Sequence, residues 1–379
     1  PIAEISANAS NLKSKLEELI RLWKNDSLFS IGFFTYESTL PFTGVTSKFS
    51  EKLSVPLFHF LFYESVLKID HLTGEIEATN PVADNYSDLI DSPKVTQSSF
   101  QNGRAKVIPE VSKDEYFRNI QKIKEHIKEG DIYQANYTCR FNVTSSANPF
   151  SVYHNLRSLN PAPYAAFLNF GDYQIISSSP ERMFKRTGDF ISSCPIKGTI
   201  KSGNGEKENR QQIEKLLDSE KDKAELLMIV DLMRNDLGKI ARTGSVEVSN
   251  LFTAEPYSSL IHLVTDVSAT LKEDVHYLQI ISALMPGGSI TGAPKKSAVQ
   301  ILQEHESTPR GVYTGCIGYV NGKNADFNIA IRTITHQNGQ YEIHAGGGIV
   351  ADSDPESEFN EMQLKAKNLF GALGISAIN

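Results

Sequence analysis

Apolar positions in the first regular segment, "NLKSKLEELIRLWKN", fall at Leu12, Leu16, Leu19, Ile20 and Trp23. That spacing follows the turn of an α-helix and predicts an amphipathic one. From 28 to 90 the pattern changes to apolar and polar residues alternating between turn breaks, as in "SIGFFTYES" and "PLFHFLFYESVLKI", which predicts strands. Residues 91–112 are polar and aperiodic and predict a linker. A helix start follows. Ser112 stands three residues before Glu115 in capping-box spacing, and Tyr116, Ile120, Ile123 and Ile127 form one stripe up to Gly130. Further strands are predicted in "DIYQANYTCRFNV", "YAAFLNF", "YQIISSS", "VYTGCIGYV", "FNIAIRTITHQ" and "QYEIHAGGGIV", the last two joined by a hairpin at "HQNGQY". Helices are predicted over 206–236, 275–284, 292–306 and 355–373. Strands cluster and helices interrupt them without strict βαβ alternation, which predicts an α+β fold with large antiparallel sheets.

Composition narrows the function classes. A net charge of −7 over 379 residues gives no basic field for nucleic acid and disfavours anionic membranes. No apolar run approaches the ~20 residues that span a bilayer. The segment "PIAEISANAS" has neither a basic region nor an apolar one, so no export signal is expected and a cytoplasmic location is. Cys139, Cys194 and Cys316 fit neither a disulfide framework nor a CxxC metal pattern.

Candidate chemistry begins with carboxylates. Asp222 and Glu225 are three apart in "SEKDKAELLMIVDLMRND", at the mouth of a nearly all-apolar helix, where acids are costly unless paired, hydrated or metal-bound. Glu358 and Glu361 have the same spacing in "DSDPESEFNEMQLKA". There a plainer reading serves equally: Asp354 caps, Pro355 takes the first helical position and acids suit the positive end of the dipole. Carboxylates converging from two helices without a Cys/His cluster would suit a hard cation, Mg2+ above all.

Two glycine runs stand out. "PGGSITGAPKKSA" lacks phosphate-loop spacing but leads into a helix, where exposed amides can hold an anion. "HAGGGIV" places Gly346, Gly347 and Gly348 at a strand end, where backbone can approach a ligand closely. Turns and tight packing explain such runs as well. Arg332, mid-strand in "IAIRTI", needs a partner that a carboxylate or a structural acid could supply, and His262 in "SSLIHLVTDV" could be a satisfied core residue. In "PIKGT", Lys197 is either a solvated loop lysine or an amine aimed at a substrate. Glu181 in "SSSPER" lies shortly before it, and an acid beside an amine offers a proton donor and a nucleophile.

In order along the chain, "GDIYQANYTCRF", "SSSPER", "PIKGT", "KDKAELLMIVDLMRNDLGKIARTGSV", "PGGSITGAPK", "GCIGY", "IRTI", "AGGGIV" and "ESEFNEMQ" resemble the chorismate-utilising enzymes over about residues 112–373. The resemblance implies an intertwined sandwich of two large antiparallel sheets flanked by helices, the fold of anthranilate synthase component I. Residues 1–105 would be integral to that sandwich, and 112–379 would form the chorismate-binding catalytic domain. It implies Glu181 as general acid, Glu225 and Glu361 as Mg2+ ligands, and Asp222 and Glu358 as outer partners. Arg332, Tyr313 and the amides at Gly346 to Gly348 would hold chorismate's carboxylates, His262 would face its ring, and Thr199 would lie near the reacting carbons.

Gln134 stands where isochorismate-forming relatives carry a water-activating lysine, which an amide cannot replace. "PIKGT" resembles the aminodeoxychorismate synthase branch, which serves 4-aminobenzoate and folate biosynthesis, whereas anthranilate synthases resemble "PIAGT". In the lysine branch the Lys197 amine is taken to attack C2 of chorismate as the 4-hydroxyl leaves, and ammonia then adds at C4. Anthranilate synthase is the alternative, and a non-catalytic chorismate-binding relative a further one. None of the three cysteines sits in a Gly-x-Cys-x-Gly elbow, so a separate glutamine amidotransferase subunit is implied as the source of ammonia. No Leu-Leu-Glu-Ser element is found, so regulation by tryptophan is not expected.

Overall fold

The computed structural model describes residues 1–79, 106–203, 205–256 and 260–375. Among these, ten strands form one sheet and seven another. In the first, Ala3–Ala7, Phe58–Tyr63 and Phe29–Phe34 lie at one edge, next to Cys316–Asn321 and Asn324–Ile329. Arg182–Thr187, Phe190–Ser193, Leu260–Thr270 and Ile196–Lys201 continue it, with Glu247–Pro256 on the far side of Leu260–Thr270. The second runs Gly292–Ala293, Gln134–Thr144, Gln340–Ile349, Thr333–Gln337, Tyr173–Ser179 and Tyr164–Asn169, with Lys106–Pro109 also against Gln134–Thr144. The strand pairings of both sheets are antiparallel.

Chain segments far apart in sequence interleave within each sheet. Phe29–Phe34 pairs with Cys316–Asn321 in full register, from Phe34 opposite Cys316 to Phe29 opposite Asn321. The apolar face of the first helix, Leu12–Trp23, packs onto this sheet as its period implies. Trp23 anchors it. Its ring lies edge-on to Phe60 and Tyr277 at 5.2 and 5.7 Å, and its indole N–H donates to Ser30 Oγ at 2.9 Å. A second core lies under the seven-stranded sheet, where Lys113–Glu129 and Pro355–Ala372 bury Ile120, Ile123, Met362, Ala366 and Leu369.

Several expectations are met closely. Ser112 Oγ accepts from the Glu115 amide at 3.2 Å to cap Lys113–Glu129, the serine half of the expected capping box, and Gly130 ends that helix in the left-handed region. The "HQNGQY" hairpin closes with Asn338 and Gly339 both at positive φ, the requirement of a tight type I′ turn. Others need correction. The single helix expected over 206–236 is two, Glu206–Leu217 and Glu220–Gly238, because Ser219 caps the second through the Asp222 amide. Of the expected linker, 91–105 lies outside the described residues, and Lys106–Pro109 is a strand pairing with Phe141–Thr144. "FNIAIRTITHQ" is not one strand: it breaks after Ile329, and its halves belong to different sheets.

Removing the Trp23 ring would leave a cavity in the larger core. Trp23→Ala is expected to cost about 3–5 kcal/mol, read as a lower urea midpoint at unchanged slope.

Candidate active site

Two chain crossings lie side by side where the sheets meet. Ser179 ends a strand of the seven-stranded sheet and Arg182 begins one of the other, leaving Pro180 and Glu181 as the link. Ile329 and Thr333 bound the second link, which carries Arg332. The two are stitched together: the Ile329 amide donates to Glu181 O at 3.0 Å, Ser179 Oγ donates to Ile329 O at 2.6 Å, and the Ser178 amide donates to Arg332 O at 3.1 Å. Arg332 is therefore not mid-strand. It turns the corner at φ 50°, a costly region for a side-chain-bearing residue, and its guanidinium donates to Asn160 Oδ1 at 2.8 Å.

Glu181 is buried, with Oε1 accepting from Ser289 Oγ at 3.1 Å. The space against it, bounded by Ile229, Leu232 and Gly287 to Ser289 among others, amounts to about 10 Å³, room for roughly one water. Burial there raises the carboxyl to about 7, with the Lys197 charge and the Ser289 hydroxyl opposing the rise. A group poised near neutrality can hold a proton and release it. Ser289 sits in the glycine-rich run and was not singled out from the sequence. Lys295, from the same run, binds Asp236 at 2.6 Å.

Lys197 lies on Ile196–Lys201, which continues the line of Phe190–Ser193 along Leu260–Thr270 after an interruption at Cys194 and Pro195. The register slips between Lys197 and Thr199. Gly198, at φ 71°, forms that bulge, and a Cβ there would meet the Asp222 side chain at 3.0 Å. The pinned backbone on both sides of the lysine thus re-aims it. Its Nζ lies 3.8 Å from Glu225 Oε2, and its side chain is 19% exposed. It is not a solvated loop lysine. Glu225 and Asp222 come from Glu220–Gly238, which packs over this part of the sheet. Next to the bulge, Thr199 pairs with His262 in register, their side chains 2.8 Å apart at Oγ1 and Nδ1. Burial, with Arg332 adding, holds His262 at about 4, so the ring is neutral at pH 7.

The second pair of acids comes from Pro355–Ala372, packed on Gln340–Ile349. Asp354 caps that helix, as the plainer reading required. Glu358 accepts from Ser353 Oγ at 2.6 Å, and Glu361 pairs with Lys365 at 2.8 Å. Burial alone would raise the Glu361 carboxyl, but Lys365, with Lys197 and Lys221 adding, leaves it below its ordinary value. Lys197 therefore acts on Glu181, Glu225 and Glu361 together.

The four acids suit a hard cation by donor type, all being carboxylates, and Mg2+ fits that set. They do not chelate as placed: among the described residues, the sets of three or more metal-capable groups within 4.8 Å of one another lie elsewhere, around His126. As placed, Lys197 faces Glu225, Lys365 holds Glu361 and Ser353 holds Glu358.

Gly346, Gly347 and Gly348 lie opposite Thr138, Tyr137 and Asn136 across the sheet. A Cβ on Gly348 would stand 2.5 Å from Gln134 Nε2, and one on Gly347 would stand 3.1 Å from Glu358 Oε2. The run keeps one face open to Gln134 and the other to the acids. Both polar atoms of the Gln134 amide are buried without a hydrogen-bond partner, a costly state for a group with no role. Tyr313 is in a turn before Cys316–Asn321, not in the strand, and its ring stacks on His344 at 5.3 Å. The turn is locked by a group the sequence did not reveal. Buried Arg310 binds Glu306, Ile290 O at 2.8 Å and Asn136 O at 2.7 Å, while Glu37 accepts the amides of Arg310 and Gly311.

Comparison with known proteins fixes the family. A model of chorismate binding enzymes matches residues 3–371. This chain belongs to that family. It is 36% identical to anthranilate synthase component 1 of Acetivibrio thermocellus over 91% of this chain and 74% of that protein. It is equally 36% identical to aminodeoxychorismate synthase component 1 of Bacillus subtilis, over 92% and 77%. Anthranilate synthase component I of Streptococcus pneumoniae superposes with a TM-score of 0.86 at 28% identity, covering 97% of this chain and 90% of that one. The expected sandwich of antiparallel sheets is thereby borne out. No helix among the described residues is long and apolar enough to cross a membrane.

The raised Glu181 carboxyl has a signed consequence. Its charged form is disfavoured in the fold, so stability is lost as pH rises from the ordinary carboxyl range to about 7 and the loss is constant above that. Glu181→Gln should stabilise the protein by on the order of 3 kcal/mol above that window and little below it. Urea unfolding at pH 4.5 and pH 8 reads the difference.

Proposed function

We propose that this chain is an aminodeoxychorismate synthase component I, aminating chorismate at C4 with Lys197 as a covalent nucleophile. One observation supports this most: the amine of "PIKGT" is turned inward by the Gly198 bulge toward Glu225, with a buried carboxyl poised near neutrality in its field. The resemblance to the lysine-bearing branch points the same way.

In this reading neutral Lys197 Nζ attacks C2 of chorismate, the ring double bonds shift and the C4–O bond breaks. Glu181 gives its proton to the departing hydroxyl, which leaves as water. Ammonia then adds at C4, the double bonds shift back and the C2–N bond breaks, returning the lysine amine. Arg332, Tyr313 and the amides at Gly346 to Gly348 would hold the substrate's carboxylates, and Gln134 would offer its unpaired amide to the ring's surroundings. Neutral His262, fixed by Thr199, would line the ring without competing for the leaving proton. Glu225 and Glu361, with Asp222 and Glu358, would hold Mg2+, which neutralises a substrate carboxylate as a Lewis acid does. Ammonia would come from a glutamine amidotransferase subunit, in keeping with the "component 1" in the relatives' names. The setting would be cytoplasmic 4-aminobenzoate and folate biosynthesis.

Anthranilate synthesis is the second reading, favoured by the names of relatives such as those from Acetivibrio thermocellus and Aquifex aeolicus. Chorismate with an ammonium salt and Mg2+ separates the two by mass spectrometry of products. The expected outcome is aminodeoxychorismate without pyruvate; prompt pyruvate release with fluorescent anthranilate would overturn the assignment. Lys197→Ala should reduce aminodeoxychorismate to background and let anthranilate appear, because C2 is then open to ammonia.

Glu181→Gln should lower kcat by ~10²–10⁴-fold. The wild-type rate should fall as pH rises through about 7, where the acid loses its proton.

A further inference from the structure

Among the described residues, the metal-capable groups that do converge lie away from these side chains, at the carboxyl ends of two helices. His126 is in the last turn of Lys113–Glu129 and His305 ends Lys295–His305. Ligand atoms of His126, Glu304 and His305 all lie within 4.8 Å of one another. From these we propose a second metal site, for a borderline dication such as Zn2+, held by His126, Glu304 and His305.

Four observations carry it. The donor set is two imidazoles and one carboxylate, which suits Zn2+ and poorly suits Mg2+. His305 Nε2 is buried and has no hydrogen-bond partner, a state that coordination would relieve. Asp131 Oδ2 lies 2.8 Å from His126 Nδ1, the carboxylate–imidazole arrangement that fixes a ligand's tautomer and leaves Nε2 for the metal. Helix carboxyl ends also carry partial negative charge, which favours a cation.

Surroundings agree. An open groove of about 590 Å³, lined by Val45, Lys48, Ser297 and Gln300 among others, runs past His126, Asp131 and Glu304, giving an ion access and a place for a fourth, exchangeable ligand. Lys48 and Lys122 oppose a dication, while Glu129 and Asp131 offset them.

The test is titration of the full chain with Zn2+ by calorimetry, in excess Mg2+ to occupy carboxylate sites. One Zn2+ per chain is expected. Asp131→Asn should weaken binding by ~10–100-fold, the range for loss of an orienting partner, and His126→Ala or His305→Ala by more. Bound Co2+ should show ligand-field absorption that both histidine variants lose. Without Zn2+ the variants should melt and turn over chorismate as wild type does. Absence of stoichiometric Zn2+ binding, or binding unchanged in His126→Ala/His305→Ala, overturns the site. Should the double variant not fold, unchanged affinity in Asp131→Asn does so.

Discussion

The structure depends on two backbone crossings that run side by side between its sheets. One carries Glu181 and the other Arg332, and they satisfy each other through the Ile329 amide, the Ser179 hydroxyl and the Ser178 amide. Buried backbone groups must be paired, and at a sheet junction the ladder cannot pair them. The crossings are each other's ladder. Rigid backbone at this seam fixes an acid in a space of about one water and holds a guanidinium against Asn160. Both are difficult to place on a mobile loop.

A second lock acts on the same region from behind. Arg310 joins Ile290 of the glycine-rich run to Asn136 of the seven-stranded sheet, and Glu37 of the N-terminal segment holds the backbone of Arg310 and Gly311. Burying such charges costs several kcal/mol unless each finds partners, and here Arg310 meets Glu306, two carbonyls and the Thr314 hydroxyl. The N-terminal segment is thus tied to the turn that carries Tyr313.

How much of this was legible in the sequence follows from which forces are local. Helical periods at Leu12–Trp23, the Ser112 cap and the Asn-Gly hairpin are set within a few residues and appeared as expected. The split at Ser219 was missed because both flanking stretches are helix-forming and only the cap side chain separates them. "FNIAIRTITHQ" read as one strand because its apolar alternation continues through a corner whose cause is pairing with residues 150 away in the chain. Site residues followed the same rule. Glu181 and Lys197 could be suspected from neighbouring residues, but Ser289, Asn160, Lys365 and Arg310 act through contacts that only the fold creates.

That distinction bears on Lys197. A lysine flanked by Pro-Ile and Gly-Thr could have projected to water; what decides its direction is Gly198, the residue whose φ of 71° opens the register slip. Any side chain there would be strained and would press on Asp222. The glycine therefore acts on the lysine and on an acid of the neighbouring helix at once. Charge then completes the arrangement. One amine within reach of Glu225, felt also by Glu181 and Glu361, cannot satisfy three carboxyls, and the burial of Glu181 settles the competition by favouring its protonated form. Burial thus sets Glu181 apart from the other acids that lie in the field of Lys197.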